Sequence, residues 1–232
     1  MNILKMIDGR IGFCPGLGYA VFQNKDGTTT KLSWKELKLK ENGEKYNYKN
    51  TKVQNKETGP YAFESCLNLA SIVIPDSVEE IWGMAFHGCY NLQTIKIPDS
   101  VLSIGNYAFE SCKSLTSIVM PAQITSIENG LFYACEKLEK VIIPNSVITI
   151  KYFAFSGCAS LRSIVIPSSV ATIEDWAFYE CQNLESVIIS DALVDFGDEV
   201  FKYCPNLKSI TYKGQIFKTA EEFATYFCEN QT

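Results

Sequence analysis

The chain has 232 residues, 47% hydrophobic and 20% charged, with a formal net charge of -5, the balance of a globular chain rather than a disordered or collagen-like one. An acidic excess offers a phosphate backbone no basic face, so nucleic acid is not an expected partner. The apolar runs fall far short of the ~18 to 20 residues that cross a bilayer, and the opening MNILKMIDGRIGF lacks the apolar core of ~7 to 15 residues that a secretory signal needs, so neither membrane insertion nor a leader is expected.

Tyr19 to Gln23 and Thr28 to Leu32 are predicted as two short strands around the turn Lys25-Asp26-Gly27, and Ser33-x-x-Glu36 reads as a capping box opening a short helix through Leu37. Residues 1–40 thus make a small α+β N-terminal segment. Residues 41–59 are polar, and the register of the following sequence places one degenerate capping coil or a linker there.

From residue 60 to 212 the sequence repeats every 23 residues without insertion. Phe63, Phe86, Phe109, Phe132, Phe155, Phe178 and Phe201 form one column, and Leu69, Leu92, Leu115, Leu138, Leu161, Leu184 and Leu207 a second. Three and five residues after each Leu stand further apolar residues, Ile95 and Ile97 for example, which predicts a short strand with one face buried. Pro75, Pro98, Pro121, Pro144 and Pro167 end it, because proline has no N–H for a ladder. Two more apolar positions three apart, such as Val101 and Ile104, complete the unit. One copy cannot enclose its own apolar side chains, whereas stacked copies bury each against its neighbours, so a solenoid with one parallel strand per coil is expected.

Cysteine follows the same period at Cys66, Cys89, Cys112, Cys135, Cys158, Cys181 and Cys204. Stacked cysteines have parallel Cβ vectors, which disfavours bridging, so all seven are expected to be free thiols filling the core. Cys14 and Cys228 stand outside the ladder. After the last repeat, Thr219-x-x-Glu222 is predicted to cap a helix with Phe223, Tyr226 and Phe227 on one face, and residues 213–232 become a C-terminal cap.

No catalytic constellation emerges. The single histidine, His87, has no relay to join, and no zinc, EF-hand or phosphate-loop spacing occurs, so neither catalysis, a metal nor a cofactor is expected. Gly16-Leu17-Gly18 reads as a turn, and Glu79-Glu80 and Glu221-Glu222 as solvated acids. Two columns could bind a partner. The first is the outward side of the strands, where Val73, Lys96, Val119, Lys140, Ile142, Val165 and Ile188 stand among Ser71, Thr94, Ser117, Ser163 and Ser186. The second precedes the Ala-Phe pair and holds Tyr61, Met84, Tyr107, Phe153 and Trp176, interrupted by Gly130 and Glu199. It reads either as coil-to-coil packing or as an aromatic platform for a glycan.

The pattern L-x-x-I-x-I-P-x-S-V-x-x-I-x-x-x-A-F-x-x-C, as in LQTIKIPDSVLSIGNYAFESC from Leu92 to Cys112, resembles the BspA-type leucine-rich repeats of bacterial and protozoan surface proteins. The resemblance implies a leucine-rich repeat superhelix, mostly β, whose concave strand face binds proteins. The chain is expected to be a non-enzymatic monomer, and the resemblance implies adhesion to host or matrix proteins, at a cell surface or secreted. A carbohydrate-binding module using the aromatic column is the alternative.

Overall fold

In the computed structural model of the chain, the described residues are 62–230 apart from 68, 75 and 77, together with the backbone of three short strands before them. Strands β1 (Tyr19–Gln23) and β2 (Thr29–Ser33) form an antiparallel hairpin with Tyr19 opposite Ser33, which moves the second predicted strand one residue along the chain. The capping box at Ser33 to Glu36, its helix and most of 41–59 lie outside the described residues.

Each coil makes two strands. The longer series is β4 (Ser71–Val73), β6 (Thr94–Lys96), β8 (Ser117–Val119), β10 (Lys140–Ile142), β12 (Ser163–Ile166), β14 (Ser186–Ile189) and β16 (Ser209–Tyr212), as the alternating pattern predicts. A second series of two-residue strands is β3 (Glu57–Thr58), β5 (Glu80–Ile81), β7 (Ser103–Ile104), β9 (Ser126–Ile127), β11 (Thr149–Ile150), β13 (Thr172–Ile173) and β15 (Asp195–Phe196). Pairing is parallel and in register by one repeat: Val119 lies opposite Ile142, Val165 opposite Ile188 and Ile150 opposite Ile173.

The longer strands pair as β4–β6, β8–β10 and β12–β14–β16 rather than in one unbroken ladder. Ile95, Ile97, Val141 and Ile143, on or just after β6 and β10, the strands before the two breaks, are only half-buried. Across each break the inward residues of the next strand, Ile118 and Met120 on one side and Ile164 and Ile166 on the other, are buried, so the expectation of buried inward positions fails only on the β6 and β10 side of the breaks.

The core is a set of vertical columns. The seven Phe rings stack with centroids 4.9 to 5.7 Å apart, and those from Phe86 to Phe178 are wholly buried. Between strands, the Pro-x-Ser-Val segment folds as a turn in which the Val101, Val147 and Val170 N–H groups donate to the carbonyls of Pro98, Pro144 and Pro167. Ser100 and Ser146 then donate their hydroxyls to Val78 and Ile124, one coil back.

The thiol ladder does more than fill space. The Cys89, Cys112, Cys135, Cys158, Cys181 and Cys204 thiols each donate to the carbonyl of a Phe 26 residues earlier, at 2.9 to 3.3 Å. Burial pushes Cys89 up to about 12 and drives Cys112, Cys135, Cys158 and Cys181 in the same direction. These cysteines are free, and so is Cys228. Cys66 is not: it is disulfide-bonded, which corrects the expectation of seven free thiols. Its partner lies outside the described residues and is no ladder neighbour, consistent with parallel Cβ vectors that keep ladder members apart. Cys66 is the first of the column, with no ladder cysteine before it.

At the far end, β17 (Gln215–Phe217) turns back antiparallel on β16 through Lys213 and Gly214, both at positive φ (48° and 74°), the backbone a two-residue hairpin turn requires. Helix α1 (Ala220–Glu229) follows, its Glu222 N–H bound by the Thr219 hydroxyl at 3.1 Å and the Glu222 carboxylate accepting from the Lys218 N–H. Phe223 and Phe227 are buried, and Tyr226 half-buried, against Phe196, Tyr212 and Phe217, as the helical spacing predicts.

Candidate functional site

Outward side chains on β4 to β16 alternate with core residues, so their exposure follows from strand geometry. Val73, Val119, Ile142, Val165 and Ile188 are 44%, 61%, 46%, 60% and 48% exposed. Ladder pairing places Lys96 beside Val73, Val119 beside Ile142, and Val165 beside Ile188. Neighbouring strands lie ~4.8 Å apart, so Val119 to Ile188 forms an apolar stripe roughly 14 Å long. Ser117, Lys140 and Ser163 run beside it as an exposed polar stripe. Arg162, Glu185 and Lys208 flank the later strands, with Glu185 accepting from Lys208 at 2.9 Å and Arg162 at 3.4 Å. The Lys208 ammonium holds the Glu185 carboxyl below its ordinary range, with Arg162 adding to the effect. All seven strand-face residues singled out in the sequence stand exposed on this one surface.

The second column is built differently. Met84, Tyr107, Gly130, Phe153, Trp176 and Glu199 all have φ between 53° and 58°, a left-handed conformation that non-glycine residues rarely adopt. It turns their side chains along the coil stack. Tyr107 lies over Gly130, where a Cβ would come within 2.1 Å of the Tyr107 ring. Phe153 stacks on Trp176 at 5.1 Å, and the Trp176 indole N–H donates to Glu199 at 2.9 Å. Tyr107, Phe153 and Trp176 are half-buried by these contacts, which favours the packing reading of the column over a glycan platform. Tyr61 lies outside the described residues.

His87 sits between carboxylates of the adjacent coils, 3.4 Å from Glu64 and 3.7 Å from Glu110, with no nucleophile in the arrangement. Among the described residues no group of three or more His, Cys, Asp or Glu side chains is arranged to hold a metal ion, and no helix is long and apolar enough to cross a membrane.

No curated protein matches the chain. Among solved structures it is similar to a leucine-rich repeat protein of T. pallidum, with 30% identity over 75% of this chain and 76% of that one and a TM-score of 0.61. A leucine-rich repeat protein of Bacteroides ovatus matches with 27% identity over 72% of this chain and 61% of that one, at a TM-score of 0.41. The family model for the BspA type leucine rich repeat region matches six copies, over residues 56–152 and 125–232. With its 23-residue coils, paired parallel strands and Phe, Leu and Cys columns, the chain belongs to the BspA-type leucine-rich repeat family.

Proposed function

We propose that the chain is a non-enzymatic scaffold that binds a protein through its strand face, in the setting of adhesion to a host or matrix protein at a microbial surface. The observation that supports this reading is the run of exposed Val119, Ile142, Val165 and Ile188 on strands whose backbone is already held by the stack. A rigid apolar surface bordered by hydroxyls and Lys140 loses little entropy on binding and can seat an apolar anchor. Repeat scaffolds of this family generally bind proteins, which supports the same reading.

The test uses the full chain as bait against host and self extracellular proteins, with an Ile142→Lys/Val165→Lys double variant as the paired control bait. A partner of the strand face is retained by the parent and weakened at least tenfold by the variant, about 1.4 kcal/mol. Partners retained equally by both baits would place binding on another surface.

A further inference from the structure

The turn side of the solenoid is held by a regular ladder of main-chain bonds. Trp176, Phe178 and Glu180 donate their N–H groups to the carbonyls of Asp198, Val200 and Lys202 in the next coil, and Gly130, Phe132 and Ala134 donate in the same way to Tyr152, Ala154 and Ser156. In the last coil the equivalent donors are Glu199, Phe201 and Tyr203, and among the described residues none of these three N–H groups has an acceptor. They line a cleft of about 1190 Å³ between the last coil and α1. Its apolar floor includes Phe196 and Leu207, both half-buried, and its rim carries Glu180, Asp198 and Glu221 against a single ammonium, Lys202, already bound by Glu199 at 2.5 Å.

We propose that this cleft is a second binding surface, which takes a short basic peptide segment as one further rung of the turn ladder. The segment presents carbonyls at i, i+2 and i+4 to Glu199, Phe201 and Tyr203, sets an apolar side chain on the floor, and meets the acidic rim with its basic residues. Main-chain addition of this kind gives affinity through hydrogen bonds, while side-chain pockets give specificity. The acidic rim disfavours a free anion, although a row of N–H groups beside left-handed residues often binds one. A second solenoid does not fit, because β17 occupies the edge of β16 where its strand would pair and α1 packs over Phe196. The cleft opens on the turn third of this end.

The probe is a fluorescein-labelled synthetic peptide copying residues 151–161 with Cys158→Ser, flanked by two lysines at each end. Its native counterpart presents the carbonyls of Tyr152, Ala154 and Ser156 in this ladder. Fluorescence anisotropy with the full chain should show saturable, salt-sensitive binding. An Asp198→Lys/Glu221→Lys variant should weaken it at least tenfold, and Ala224→Trp, which fills the cleft from α1, should abolish it. Val165→Lys on the strand face should leave it unchanged, separating this site from the strand-face reading. Circular dichroism checks that each variant is folded, and the charge variant keeps the test decisive if Ala224→Trp is not. Absence of saturable binding to the parent, equal binding by the charge variant, or displacement of the peptide by inorganic phosphate each overturns the proposal. So does a concentration-dependent dimer, in sedimentation, that Ala224→Trp removes, since a second copy would then occupy the cleft.

Discussion

Two aromatic columns run along this molecule in parallel, and they obey different rules. The inner one, Phe63 to Phe201, is closed off on every side by Leu, Ile, Val and Cys columns, and its central members have no exposed surface. The outer one, with Tyr107, Phe153 and Trp176, sits on left-handed backbone and stays half-buried. Both hold rings stacked between coils, the outer one at Phe153 on Trp176, so stacking alone does not distinguish a core from a surface. What differs is the number of sides from which water is excluded, and this sets what each column contributes.

The largest expected effect falls on the thiols that line the inner column. An unfolded cysteine releases its proton near pH 9, whereas folded Cys89 holds it until about 12, and Cys112, Cys135, Cys158 and Cys181 are shifted the same way. The folded state therefore binds more protons above pH 9, and this stability is fully present below pH 9 and lost as pH rises toward the folded pKa. Each thiol contributes a slope of about 1.4 kcal/mol per pH unit in that window. Urea midpoints measured at pH 8, 9, 10 and 10.5 should fall steeply above 9. A flat profile would mean that solvent reaches the ladder.

Next comes the ring itself. Phe109→Ala removes a fully buried side chain stacked on both neighbours, and should cost about 3 to 5 kcal/mol by chemical denaturation. Trp176→Ala removes one stacking partner, Phe153, and the bond to Glu199, all at a half-exposed position. About 1 kcal/mol is expected there. A loss at Trp176 equal to that at Phe109 would erase the distinction between the columns.

How much of this was legible in the sequence depends on what each feature repeats. The Phe, Leu and Cys columns and the longer strands could be read directly, because an unbroken 23-residue period aligns them and alternation assigns them a face. The second series of strands could not, since strands of two residues such as Ser103–Ile104 carry no alternation and exist only through pairing with a neighbouring coil. β17 did leave a signal, Lys213-Gly214 between two β-like runs, which is the chemistry of a two-residue hairpin turn. The disulfide at Cys66 left none: ladder position marks it as one of seven equivalents, and only its place at the end of the column sets it apart. For the aromatic column the residues were visible but the left-handed backbone was not, because Tyr, Phe and Trp are poor markers of positive φ; Gly130 in the same column was the clue.

The smallest expected effect separates the strand face from both columns. Ile142 and Val165 lie on paired strands yet are 46% and 60% exposed, so lysine in their place keeps its ammonium in water and its stem along the sheet. The inward neighbours are different: Ile164 and Ile166 beside Val165 are buried, at 3% and 0% exposure. Each outward lysine should therefore cost at most about 1 kcal/mol, the range of strand propensity itself. If Val165→Lys instead lowered stability by more than about 2 kcal/mol, the stripe would be a packing surface covered within the chain, and a strand-face partner would lose its physical basis. A small change in stability joined to a tenfold loss of partner affinity is the combination that only an exposed binding stripe produces, because neither column can lose contacts with a partner without first losing contacts within the fold.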